Sequence, residues 1–173
     1  MHEYILCNKI LDKSAITYIE VDKVNNYIIC GTMNGSIIIF KLKEVLTFYK
    51  AINDNDKKIN FIHCHSLMNM FITCSEDHFI NVYILPKVKL VSSVYLKEYI
   101  PIYSFLSLIP VPCFIVSPKD SIILYSLNGD IICEKKKDKI KVEPCIKVDS
   151  YFNEYLLINN QLSKIFFFEN NNI

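Results

Sequence analysis

Tyr27-Ile-Ile-Cys-Gly-Thr-Met-Asn-Gly-Ser-Ile-Ile-Ile-Phe40 joins a short apolar run, a polar turn and a second apolar run that ends in an aromatic residue. β-Branched and aromatic side chains favour the pleated, half-buried environment of a strand, and a turn-forming cluster between two such runs makes a hairpin. The same pattern returns three more times. It reads Met70-Phe-Ile-Thr-Cys-Ser-Glu-Asp-His-Phe-Ile-Asn-Val-Tyr83, then Pro112-Cys-Phe-Ile-Val-Ser-Pro-Lys-Asp-Ser-Ile-Ile-Leu-Tyr125, then Tyr155-Leu-Leu-Ile-Asn-Asn-Gln-Leu-Ser-Lys-Ile-Phe-Phe-Phe168.

The closing aromatics Phe40, Tyr83, Tyr125 and Phe168 are 43, 42 and 43 residues apart. Four-stranded propeller blades repeat at about 40–45 residues, so this spacing predicts a blade per copy. Each copy carries an upstream strand about 24 residues before its aromatic: Ala15 to Val21, Ile59 to His65, Ile102 to Leu108 and Val142 to Val148. A fourth strand is clearest in the third copy, where Ser121 to Leu127, Asn128-Gly129 and Asp130 to Cys133 predict a hairpin with a type I′ turn. In the second copy Pro86-Lys87 would turn into Val88 to Leu96. The expectation is an all-β, single WD40-like domain over 1–173: an outer strand in 1–11, then blades over 12–52, 53–97, 98–140 and 141–173. The last blade lacks its own outer strand. The apolar piece Glu3 to Leu11 would complete that blade or a preceding one, hiding an exposed edge.

Composition fits this reading. The chain has 173 residues, is 51% apolar and 13% aromatic, and holds only three glycines, enough for a core without disulfides or metals. Formal net charge is +1 and all 19 basic residues are lysine; without the planar arginine fork that reads phosphate and guanine, nucleic acid is not an expected partner. Seven cysteines at 7, 30, 64, 74, 113, 133 and 145, with no CxxC, fit reduced thiols in an intracellular, cytoplasmic protein. Met1 to Ile10 has neither the apolar core nor the cleavage site of a signal peptide. Tyr99 to Pro118 is uncharged over 20 residues, but prolines 101, 110, 112 and 118 remove backbone donors that lipid cannot replace, so two short strands are expected there and not a membrane helix.

The repeats resemble the WD40 family. Gly31 to Leu42 is similar to its G-x-x-D-G-x-I-x-V-W-D-L segment, with Asn34 for Asp, Phe40 for Trp and Lys41 for the following Asp; Cys74 to Leu85 is similar too, with Glu76-Asp77 and Tyr83. The family's Trp, Gly-His pair and buried Ser-His-Trp-Asp network are missing, which implies blades resting on apolar packing. The order of copies further resembles the C-terminal propeller of BEACH-domain proteins. A Gly-x-x-x-Gly-Ser-Ile blade precedes a Ser-Glu-Asp blade, and the third blade runs Ile123-Leu124-Tyr125-Ser126-Leu127-Asn128-Gly129-Asp130-Ile131-Ile132. That resemblance implies a tail acting in vesicle or endolysosomal membrane traffic, supplies no catalytic residue, and implies that the rest of a longer polypeptide or another propeller chain is a neighbour.

Candidate chemistry is sparse. His63-Cys64-His65, with Cys74 and His78, is the one cluster that suggests a metal, but alternation on a strand points Cys64 away from the two histidines, so the reading is strand-end histidines at the surface and no metal. No nucleophile elbow, phosphate-cradling loop or carboxylate pair is present, and no cofactor is expected. Glu134 to Lys141 is a charge-dense link; its Lys135, Lys136, Lys137 and Lys139 could meet anionic lipid headgroups in a peripheral membrane contact or an acidic partner. The remaining candidate contacts are loop residues of one rim, Asn34, Glu76, Asp77, Lys119 and Asp120, because loops on a rigid scaffold carry recognition. The expected function is a non-enzymatic protein–protein scaffold, with an adaptor in an RNA-processing or ubiquitin-ligase complex as the alternative.

Overall fold

A computed structural model describes residues 14–97, 101, 104–107, 112–116, 121–136, 145–148, 154–158 and 161–164. Strands β1 (Ile16–Asp22), β2 (Tyr27–Thr32), β3 (Ile37–Leu42) and β4 (Leu46–Ile52) form one sheet in chain order. β5 (Ile59–His65), β6 (Met70–Ser75), β7 (Phe79–Ile84) and β8 (Lys89–Tyr95) form the second. β9 (Ser104–Ser107), β10 (Cys113–Val116), β11 (Ser121–Ser126) and β12 (Ile131–Lys136) form the third, and β13 (Cys145–Val148), β14 (Glu154–Ile158) and β15 (Gln161–Lys164) a fourth of three strands. Every pairing is antiparallel. The fold class is therefore the expected one, all-β with four small antiparallel blades.

The repeat is visible at atomic level. Phe40, Tyr83 and Tyr125 each lie on the third strand of their sheet and are buried, and Phe71–Tyr83 and Phe114–Tyr125 are stacked cross-strand pairs with centroids 4.8 and 5.2 Å apart. Phe168 and the segment 1–11 lie outside the described residues. Turns recur as well. Asn26 and Asn69 close the first turn of successive blades at φ 59 and 51, a left-handed conformation that Asn tolerates. Their carbonyls accept from Leu42 N at 2.8 Å and Leu85 N at 2.7 Å, again one period apart.

Strand alternation gives the second sheet two apolar faces, and the neighbouring sheets cover both. Ile59, Ile62, Phe71 and Tyr83 of the second blade pack with Tyr27, Ile29, Ile37 and Ile39 of the first. The opposite face of the second blade, Ile72, Cys74, Ile80 and Val82, packs into a cluster with Leu106, Cys113, Phe114, Ile115 and Leu124 of the third. Burying each such Ile, Leu or Phe is worth about 1.5–3 kcal/mol, so these interblade layers are the core. Outer strands add a second contact: Tyr49 on β4 donates its hydroxyl to Pro86 O at 2.8 Å, and Lys50 Nζ donates to Val88 O at 3.1 Å, both in the β7–β8 turn of the next blade.

One expectation needs correction. The Asn128-Gly129 turn is not type I′: of the two residues only Gly129 has positive φ, at 92, and the bonds Gly129 N to Ser126 O (3.0 Å) and Ser126 N to Asp130 O (2.8 Å) define a type I turn with a glycine bulge. The Ser126 hydroxyl accepts from Asn128 N and Asp130 N, which favours the longer loop. The uncharged stretch 99–118 contains β9 and β10 where it is described, and no helix among the described residues is long and apolar enough to cross a membrane.

Gly35 and His78 hold the same place in successive blades, at φ 88 and 71, each donating its amide to the residue three before it. They differ in what surrounds them. A Cβ on Gly35 would fall on the carbonyl of Asn55 and lie 2.8 Å from Lys57 O, both backbone atoms that cannot swing away. Gly35→Ala is therefore expected to cost about 2–3 kcal/mol, more than the left-handed conformation alone explains, as a lowered urea midpoint with unchanged m-value.

Candidate functional site

The site is built outward from the inner strands. Thr17 Oγ1 on β1 donates to Ile59 O on β5 at 2.6 Å, and Asn60 Nδ2 on β5 donates to Pro101 O of the next blade at 3.3 Å. Glu20 Oε1 accepts from Cys64 N at 3.3 Å, and His63 Nδ1 accepts from Leu106 N at 3.2 Å. Thr17 and Asn60, and Glu20 and His63, are each 43 residues apart, so one side-chain-to-backbone rung recurs at both interfaces. At the lower end Asp22, 2% exposed, accepts from Val24 N, Asn25 N and Ser66 Oγ at 3.1, 3.0 and 2.8 Å, clamping the β1–β2 turn to the 3₁₀ turn Ser66–Met68 of the second blade.

At the opposite rim the β2–β3 turn, the link 53–58 and the β6–β7 turn lie side by side. The link touches Gly35, donates Asp56 N to Asp77 Oδ2 at 2.8 Å, and accepts Glu76 N at Lys58 O at 2.9 Å. Asn34 is exposed, and its Oδ1 accepts from Thr32 Oγ1 at 2.6 Å. Asp77 accepts from Ser75 Oγ and, at 3.1 Å, from Phe79 N, so it closes its own turn while holding the link. Glu76 is paired with Lys58 at 3.6 Å in a solvent-exposed contact worth about 0–1 kcal/mol. Asp54, Asp56 and Lys57 are exposed between them, and Met33 projects beside Asn34.

Three of the expected contact residues, Asn34, Glu76 and Asp77, are thus brought onto one continuous surface across two blades. Lys135 and Lys136 lie at the end of β12 that pairs with the start of β11, which is the same rim. Lys119, Asp120, Lys137 and Lys139 lie outside the described residues. Beneath the rim, Asn81 Nδ2 donates to Asn55 Oδ1 at 2.8 Å, both side chains buried, and burial followed by the nearby Asp54 carboxylate raises the Tyr83 hydroxyl above its usual range. Polar contacts therefore supplement the apolar packing expected to act alone, because the link must be tied to a blade face that its own backbone groups cannot satisfy.

The histidines are also placed differently from the surface positions expected. His65 is buried, and its Nδ1 accepts from Met68 N at 3.4 Å, capping the 3₁₀ turn; His63 faces the third blade; His78 Nδ1 lies 3.1 Å from Leu96 O. No group of three or more His, Cys, Asp or Glu among the described residues is arranged to hold a metal ion. Three thiols are suppressed as nucleophiles: burial pushes Cys30 up to about 11 and also raises Cys74 and Cys64, with Glu20 and Asp22 adding to Cys64. The inner-strand rungs escape sequence reading because Thr and Asn, or Glu and His, share a role without sharing a residue type; recurrence of polar residues at 43-residue spacing is the signal that marks them.

The first three blades, in chain order and inner strand against inner strand, define an arc of β-propeller. No protein-family model and no curated protein matches the sequence. Among solved structures the chain is similar to the β-propeller domain of Myceliophteria thermophila Cps50 (Swd1), at a TM-score of 0.64 and 12% identity, over 86% of this chain and 51% of that one. The chain thus spans about half the length of that propeller.

The rim separates two kinds of residue. Asp77→Ala removes the acceptor for Asp56 N and Phe79 N and is expected to cost about 1–3 kcal/mol in chemical denaturation, whereas Glu76→Ala, losing one exposed ion pair, is expected to stay within about 0.5 kcal/mol.

Proposed function

We propose that this chain is a non-enzymatic scaffold that holds partner proteins against the rim formed by Met33, Asn34, the link 53–58, Glu76 and Asp77. The observation that supports this most is the way Asp77 and Asn34 are fixed: their side chains are committed to turn hydrogen bonds, which immobilises the rim and leaves Met33, Asp54, Asp56, Lys57 and Glu76 projecting from a rigid support. A preorganised surface loses little side-chain and loop entropy on binding, which is what a recognition surface needs. The raised thiols support a binding role over nucleophilic chemistry.

The finer reading is a BEACH-type WD40 tail at cytoplasmic, vesicle or endolysosomal membranes, supported by the order of the repeats and the Leu124-Tyr-Ser-Leu-Asn-Gly129 run. The lysines at the end of β12 fit peripheral contact with anionic headgroups. The whole chain is the bait for proximity labelling in cells, run beside a variant carrying Glu76→Lys and Lys57→Glu. Endolysosomal or vesicle membrane proteins are expected in the wild-type set, with capture reduced about tenfold by the charge reversal. Enrichment of nuclear RNA-processing or ubiquitin-ligase subunits would overturn the traffic reading, and capture indifferent to both substitutions would overturn the rim.

A further inference from the structure

One cross-strand row of the second blade differs from its counterparts. Ile62, Thr73 and Asn81 are paired across β5, β6 and β7, as Ile19, Cys30 and Ile38 are in the first blade and Ser104, Val116 and Ile123 in the third. The last two places thus hold Cys and Ile, or Val and Ile, in the neighbouring blades and Thr and Asn here. Thr73 is 0% and Asn81 2% exposed, on the face that turns Ile62 and Tyr83 towards the first blade. A buried Asn in place of Ile gives up apolar contact and needs its amide satisfied, so the exchange calls for a polar neighbour. The link 53–58 supplies one: Asn55, also buried, accepts from Asn81 Nδ2 at 2.8 Å.

That bond satisfies only part of what is buried. Asn55 Nδ2, Asn81 Oδ1, the Thr73 hydroxyl and the Tyr83 hydroxyl are all sealed from solvent without a hydrogen-bond partner. Asn81 lies directly across from Thr73, and the Tyr83 hydroxyl lies near Asp54, Asn55 and Asn81 without a bond of good geometry to any of them. Each such atom would carry the desolvation cost of a lost hydrogen bond, which native interiors seldom tolerate once, let alone in a cluster. Their demands are mixed: the Asn55 amide must donate, the Asn81 carbonyl must accept, and the hydroxyls can do either. Exchanging N and O in both amides swaps which residue donates but still leaves one donor and one acceptor. A bare cation would meet the donor and an anion the acceptor, so neither fits, whereas a small neutral molecule that both donates and accepts does.

We propose that an ordered water molecule is bound among Asn55, Thr73, Asn81 and Tyr83 as an integral part of the second blade. The water accepts from Asn55 Nδ2 and from one hydroxyl, and donates to Asn81 Oδ1 and to the other hydroxyl. That use of both its protons and both its lone pairs falls within the roughly two to four hydrogen bonds typical of buried water. The bridge ties the link to β6 and β7 together, and so fastens from beneath the segment on which Asp54, Asp56 and Lys57 are exposed. It belongs to the second blade alone among the first three, since the pairs Cys30–Ile38 and Val116–Ile123 offer no such polar side chains. This inference rests on the buried groups and not on the rim-binding reading.

Thr73→Val tests it in the whole chain while preserving the shape of the site. Exchanging a hydroxyl that holds the water for a methyl group removes a made hydrogen bond, so the urea midpoint is expected to fall by about 0.5 M with unchanged m-value. An orphaned hydroxyl would give the opposite sign, because its replacement relieves a desolvation cost. Water-selective nuclear Overhauser spectra read the occupant directly. Cross-peaks from water to the side-chain amide protons of Asn55 and Asn81 are expected, with the sign of a molecule that tumbles with the protein. They are expected to persist in Tyr83→Phe, which removes a hydroxyl able to relay exchange but leaves the water its other partners. A midpoint that rises or does not move, amides without water cross-peaks, or cross-peaks lost in Tyr83→Phe would each overturn the proposal, and none of these outcomes bears on whether the rim captures partners.

Discussion

The second sheet of this chain is apolar on both faces, so it is stable only with another sheet on either side. On the second blade one face presents Ile62, Phe71 and Tyr83 and the other Ile72, Cys74, Ile80 and Val82, all fully buried. A single hairpin or isolated four-stranded sheet with that pattern would leave hundreds of square ångströms of apolar surface in water. Stacking in sequence order solves the problem locally, since each blade contacts mainly its chain neighbours, and the solution repeats for as long as the pattern does. The rim, the turns and the interblade hydrogen bonds follow from that arrangement.

Face packing alone would let blades slide, because apolar contact is non-directional. The polar rungs fix the slide. Thr17 to Ile59 O and Asn60 to Pro101 O set one height; Glu20 to Cys64 N and His63 to Leu106 N set another. Their equivalents in the third blade are Ile102 and Phe105, which carry no such side-chain donor or acceptor. Outer strands supply a third point of registration, through Tyr49 and Lys50 onto the β7–β8 turn and through Val94 against Gly129 in the β11–β12 turn.

Much of this was legible in the residues, for a physical reason: a bulky aromatic near the end of the third strand fills the layer between blades, as Tyr83 does with the first blade and Tyr125 with the second. The upstream strands were equally clear, with Ile59 to His65 matching β5 end to end. What was not legible depends on side-chain hydrogen bonds within turns, which the strand pattern does not encode. Asn-Gly suits a type I′ turn and a glycine bulge alike, and the Ser126 hydroxyl decides between them. His65 looks like a surface residue until the 3₁₀ turn beside it supplies a backbone amide to cap. Asn34 and Asp77 were readable as rim residues; their bonds to Thr32 and Phe79 are made within their own turns, but the bond of Asp77 to Asp56 required the neighbouring link to be in place.

The claim beneath all of this is that successive blades meet through their inner strands at equivalent positions 42 or 43 residues apart. Amide hydrogen exchange at Cys64 and Leu106 tests it most directly, because each of these amides donates to a side chain of the preceding blade. The account predicts protection at both, with Glu20→Ala speeding exchange at Cys64 by about tenfold or more while leaving Leu106 protected. Exchange at the unfolded rate in the wild-type chain, or a Cys64 amide unmoved by loss of Glu20, would contradict it.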